Sequence, residues 1–136
     1  MNNLSTWSKT NLLLSFLILL VAFLAPIMVE KFSYSGKITE AESVTNNIAK
    51  MQGELYANKN EYTAVKKSNQ SLLTSQLQVR VIDLKYYDYT ITTTNKSFKI
   101  VAEPKIRFLK ERVVPPRVYT FSHVLNGVDS KKWSSL

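Results

Sequence analysis

The sequence predicts an α+β protein: a long N-terminal helix, transmembrane in its first half and amphipathic in its second, packed on a small antiparallel sheet of three or four strands. Three observations predict it. Residues 12–29, LLLSFLILLVAFLAPIMV, carry no formal charge. Over residues 34–55 apolar or small residues recur at spacings of three and four, the period of a helix. Beyond residue 76 the period changes to two, in β-branched and aromatic runs bounded by turn residues.

The length, 136 residues, suits one small domain. Cysteine is absent and His123 is the one histidine. That excludes a disulfide framework, a thiol nucleophile, Cys-based zinc or iron–sulfur sites and a His-rich metal centre. Three separated glycines cannot write a Gly-rich phosphate loop. The chain is read as not an enzyme, with no catalytic residue, cofactor, metal or small-molecule substrate. It divides into a short N-terminal tail (1–11), a transmembrane anchor (12–29) and a globular domain (30–136).

As a helix the uncharged run reaches about 27 Å, close to a bilayer's hydrocarbon core. Ser15 can return its hydroxyl to its own helix, and Pro26 lies near the end, so neither breaks the span. A buried core helix would show a polar stripe, which this run lacks. A cleaved signal peptide would need small residues before its cleavage site. Ala22-Phe23-Leu24-Ala25 places bulky Phe23 there, and Pro26 follows. The reading is a retained single-pass anchor that meets membrane lipid through residues 12–29. Charge says little about orientation: Lys9 lies on one side, Lys31 and Lys37 on the other among Glu30, Glu40 and Glu42. The basic count slightly favours the long part inside.

The helical stripe beyond the anchor is Tyr34, Ile38, Ala41, Val44, Ile48, Met51 and Leu55, with Lys37, Glu40, Asn46, Asn47, Lys50 and Glu54 opposite. No proline interrupts residues 32–57. One helix over residues 5–58 is therefore expected, with Gly36 as a soft point and Asn58, Lys59 and Asn60 as its stop. Residues 61–76 read as an irregular connection with a short turn at Leu72 and Leu73. Strand-like alternation follows in Leu77, Val79 and Val81, then Tyr87, Tyr89 and Ile91, then Phe98, Ile100 and Ala102, closed by Pro104. Residues 105–117, KIRFLKERVVPPR, form a basic excursion. Residues 118–122 give a last short strand, Asn126 and Gly127 a turn, and Lys131, Lys132 and Trp133 a tail. The amphipathic helix must cover the sheet's apolar face, so Ile48, Met51 and Leu55 should face Tyr87, Ile91, Phe98 and Ile100. Tyr86 then falls on the opposite face, as a candidate contact residue.

This order, with these residues, resembles the type IV pilins and the type II secretion pseudopilins. Leu24-Ala25-Pro26-Ile27 looks like the proline that closes the family's membrane half. Glu54-Leu55-Tyr56-Ala57-Asn58, followed by Asn60-Glu61-Tyr62-Thr63, is similar to its helix exit. Tyr86-Tyr87-Asp88-Tyr89-Thr90-Ile91 and Ser97-Phe98-Lys99-Ile100-Val101-Ala102-Glu103-Pro104-Lys105 look like its central hairpin. Val118-Tyr119-Thr120-Phe121, the Asn126 and Gly127 turn, and Trp133 fit its closing strand, turn and terminal tryptophan. The resemblance implies a structural subunit in the bacterial inner membrane, single-pass, with its globular domain in the periplasm. Its partners would be copies of itself or related envelope subunits. Departures accompany it. The leader and the aromatic-Thr-Leu-Ile-Glu stretch that a prepilin peptidase recognises have no counterpart. Lys9 stands roughly where the family has a buried glutamate, and the family's C-terminal cysteines are missing.

Two residue groups are candidate contact sites. Ser15, Ala22 and Ala25 share one helix face and could admit a neighbouring helix, since close packing drives association in lipid. Lys105, Arg107, Lys110, Arg112 and Arg117, with Phe108 nearby, form a possible basic contact surface. It reads as a solvated face, as a site for an acidic partner protein or anionic headgroups, or, as the minor reading, for nucleic acid. His123 reads as a turn or surface histidine, with no relay motif around it in the sequence. Three functions stay open: a pilin-like structural subunit of a filament or larger envelope machine, a DNA-binding competence-type pilin, or an accessory single-pass subunit of an unrelated membrane complex.

Overall fold

The computed structural model describes the backbone of residues 3–136 and the side chains of residues 8–136; Met1 and Asn2 of the expected tail lie outside the described residues. In chain order the elements are α1 (Asn3–Lys59), α2 (Ser71–Ser75), a 3-10 turn (Val81–Asp83), β1 (Tyr87–Thr93), β2 (Ser97–Pro104), α3 (Ile106–Lys110), β3 (Arg117–Val124) and β4 (Ser130–Ser135). The chain divides into two units, one ending at Ser35 and the other spanning Gly36–Leu136. The division falls at the glycine expected as a soft point.

In the first unit, α1 carries a stretch long and apolar enough to cross a membrane, none of it buried against protein. Every described side chain from residue 8 to 33 is exposed. Phe16 is 66% and Phe23 79% exposed, which is the wrong disposition for a water-facing helix of this composition. Pro26 lies inside the helix without ending it.

In the second unit the strands form an antiparallel sheet in the order β1-β2-β3-β4. The sequence alternation becomes an alternation of faces. Across the sheet Ile91 pairs with Ile100, which pairs with Phe121; Tyr89 pairs with Ala102, then Tyr119, then Trp133. The inward residues join Ala41, Val44 and Ile48 of α1 in one apolar core, and Met51 and Leu55 pack against its margin. This is the expected contact between helix and sheet. The helix ends as expected too: Asn60 takes a left-handed conformation with φ 57°, and its N–H donates to the Tyr56 carbonyl at 2.8 Å.

Three local expectations are corrected. The buried face of α1 includes two polar residues that the apolar stripe passes over, Thr45 and Gln52. Gln52 is satisfied by a two-way clamp: its amide nitrogen donates to the Thr63 carbonyl at 2.6 Å, and its oxygen accepts the Thr63 N–H at 2.9 Å. Second, residues 77–82 do not form a strand. Leu77 and Val79 are buried, but Gln78 sits at φ 53° and the chain turns into the 3-10 turn, leaving Val81 and Ile82 exposed. Third, Lys131, Lys132 and Trp133 are not a tail but the middle of β4. Trp133 packs on Tyr119 with ring centroids 4.8 Å apart, and its indole N–H donates to Glu42 at 3.0 Å.

The β1 edge is closed by the connection that precedes it. Val65 exchanges two backbone hydrogen bonds with Ile91, at 3.0 and 2.8 Å. The Gln70 side chain does the same for Tyr89, donating at 2.8 Å and accepting at 2.9 Å. A glutamine amide thus stands in for a neighbouring strand, which blunts an otherwise open edge.

Candidate functional surface

The basic excursion is built on one short helical turn. Lys105 follows β2, and its ammonium points back into the domain. It donates to the Leu84 carbonyl at 2.6 Å and lies 4.0 Å from the Asp88 carboxylate. Lys105 is thereby half-buried and ties α3 to the 3-10 turn. Arg107 and Lys110 follow one turn apart on α3, both exposed, with Arg107 3.4 Å from Glu111. Arg112 takes φ 52°, and its N–H donates to Leu109 at 3.1 Å, ending the turn. Val114 then buries itself, and Arg117, exposed, opens β3. The expected five basic residues therefore comprise four exposed cations and one internal strut.

Two side chains near the start of this unit hold the surface in place. The Lys37 ammonium donates to the Val113 carbonyl. One turn later Glu40 accepts the Tyr86 N–H at 2.8 Å. Tyr86 is not the free contact residue expected of it. It is half-buried against the core and meets Phe108 edge-on, with ring centroids 5.0 Å apart. The link between Lys37 and residues 105–117 had no sequence signal, because its partners lie 76 residues apart.

Glu40 is the titrating group of this region. Burial pushes its carboxyl above the usual value of 4.5, against the Tyr86 and Tyr87 N–H groups and the Lys105 ammonium, which hold it down. A carboxyl raised in this way contributes stability below its unfolded pKa and loses it as pH rises through the folded value. Glu40→Gln keeps an acceptor for Tyr86 and removes the penalised charge. The variant should melt at or above the wild type at neutral pH, with the gap closing as pH falls towards the unfolded carboxylate range. Thermal melts of both chains from acid to neutral pH check this. A Glu40→Gln variant about 1 kcal/mol less stable at neutral pH would show the carboxylate to be a net gain.

Burial likewise pushes the Tyr87 phenol up to about 12 and the Tyr89 phenol higher still, so both are neutral core residues. His123 is not isolated. Its Nδ1 lies 2.6 Å from the Asp129 carboxylate and its ring stacks on Phe98 at 4.9 Å. The acid sits six residues away, across the β3–β4 turn. Both line a groove of about 320 Å³ with Ala49, Gly53 and Phe121. Among the described residues no group of three or more His, Cys, Asp and Glu gathers as a metal site.

Ser15, Ala22 and Ala25 are exposed along the apolar part of α1. The chain matches no protein-family model, no curated protein and no solved structure.

Proposed function

We propose that this chain is a non-enzymatic, membrane-anchored, pilin-like structural subunit of a bacterial envelope assembly, single-pass in the inner membrane with the sheet domain in the periplasm. The observation that carries the reading is the order of elements. An apolar, protein-free helix leads into a helix packed on a four-stranded antiparallel meander. That is the architecture the sequence resemblance implies, and its exposed apolar half calls for lipid or neighbouring helices. Residues 12–29 serve as the anchor, and copies of the chain or related subunits are the partners.

In lipid, helices meet through close packing of small residues, because the tails are as apolar as leucine. Ser15 and Ala22 lie two turns apart and Ala25 one turn further, so they offer the strip for such contact. Replacing Ala22 and Ala25 together with Leu keeps the hydrophobicity and insertion but blocks close approach. Cross-linking in native membranes should then lose the chain's oligomers or hetero-complexes while the amount in the membrane stays unchanged. Undiminished cross-links in the double variant would move the contacts to the sheet domain.

A further inference from the structure

The surface formed by the 3-10 turn and α3 combines two properties that rarely coexist on a water-facing domain. Val81 is 74%, Ile82 77% and Ile106 64% exposed. Basic residues surround them: Arg80 and Lys85 flank the turn, and Arg107 and Lys110 follow Ile106. Within residues 105–117 five basic residues stand against the single acid Glu111. Lys105 joins the two segments, through its ammonium to Leu84 and its N–H to the Tyr86 carbonyl at 2.9 Å. The two segments therefore adjoin.

Side-chain bonds fix where that surface lies within its unit. It is tied to the beginning of the unit by Lys37 and Glu40. Lys37 follows the last residue of the uncharged run, Val29, by eight positions. Eight helical residues cover about 12 Å. Only this short stretch of chain separates Lys37 from the end of the uncharged run. The opposite end holds the β3–β4 turn, where Val128 is 92% exposed.

We propose that Val81, Ile82 and Ile106, with Arg80, Arg107 and Lys110, form a membrane-resting surface that settles on anionic lipid headgroups. The apolar side chains enter the boundary between headgroups and acyl chains, while the basic ones pair with lipid phosphates. Arg107 and Glu111 are both exposed, so their pair yields readily to phosphate, and Arg80 is exposed beside a part-buried Asp83. The proposal rests on the anchored reading above. Its consequence is a domain held down on the bilayer, and released when the lipid charge is screened or another subunit competes for the surface.

The absence of cysteine allows a direct test. Ile82→Cys and, as a control, Val128→Cys are labelled with an environment-sensitive fluorophore. The full chain is reconstituted into vesicles of phosphatidylcholine alone, or with added phosphatidylglycerol, each carrying a nitroxide-headgroup lipid. The Ile82 probe should be quenched in the anionic vesicles, released by high salt and little quenched in neutral ones; the Val128 probe should stay unquenched throughout. Each basic residue near an anionic surface strengthens its attraction about fivefold. Arg107→Gln with Lys110→Gln should therefore shift the resting population by roughly 25-fold towards free. An unquenched Ile82 probe in anionic vesicles, on chain that survives a carbonate wash, overturns this proposal and leaves the anchor standing. Equal quenching in both lipids overturns it as well. Chain released by the wash overturns the anchor and this surface together. If the Ile82 probe stays unquenched and the chain instead binds labelled duplex DNA at low salt through Arg107 and Lys110, the surface belongs to nucleic acid and the proposal falls.

Discussion

Ile100→Asp is expected to unfold the sheet domain. Ile100 is fully buried at the centre of the sheet, between Ile91 on β1 and Phe121 on β3. Removing a buried isoleucine side chain costs about 2–5 kcal/mol through lost transfer energy and the cavity left behind. An unpaired carboxylate in that layer adds several more or must protonate. Domains of this size hold only about 5–15 kcal/mol in total. Near-UV circular dichroism and limited proteolysis of the detergent-extracted chain should show the second unit unfolded. Ile100→Val should cost only about 0.5–1.5 kcal/mol and stay folded. An aspartate variant that resists protease like the wild type would contradict the packing of α1 on the sheet.

Gln52→Leu is the second large effect expected. It puts an apolar side chain of similar size in place of the amide and so removes both partners of Thr63. Leaving a buried N–H and C=O unpaired costs about 1–3 kcal/mol each, so a loss of roughly 2–6 kcal/mol is expected, towards the lower end because Thr63 is only part-buried. Denaturant unfolding measures the total, and the Thr63 amide should exchange faster than its neighbours. A variant within about 0.5 kcal/mol of the wild type would mean that Thr63 finds water at no cost and the clamp is incidental.

Gln52 also illustrates where sequence patterns lose their grip. A stripe of apolar residues identifies the face of a helix but passes over polar residues that are buried because a specific partner awaits them. Thr45 and Gln52 lie on the buried face of α1, and Thr63, the partner of Gln52, sits beyond the helix end. The strands show the same division. β1, β2 and β3 were legible because several inward positions alternate with outward ones. β4 was not, because an edge strand needs few inward side chains, and Ser-Lys-Lys-Trp-Ser-Ser offers Trp133 alone. In residues 77–82 the alternation is real as burial but not as strand. Leu77 and Val79 reach the core from an irregular segment, since a left-handed Gln78 denies the chain an extended path.

The candidate surface was legible only as composition. The basic residues of 105–117 are evident in the sequence, but their separation into the internal strut Lys105 and the exposed Arg107, Lys110, Arg112 and Arg117 depends on Leu84 and Asp88. Their placement at the start of the domain depends on Lys37. Such long-range side-chain bonds leave no periodic trace. The exposed Val81 and Ile82 were hidden for the opposite reason, because their alternation imitated a buried strand.

The central proposal is that the apolar half of α1 anchors the chain and that the sheet domain lies outside the cytoplasm. One measurement tests it most directly. Val128, almost wholly exposed at the β3–β4 turn, is replaced by the chain's single cysteine, and spheroplasts are treated with a membrane-impermeant maleimide before and after lysis. The account predicts full labelling on intact spheroplasts, on protein that sediments with membranes after carbonate extraction. Labelling that appears only after lysis, or protein that carbonate releases, would contradict it.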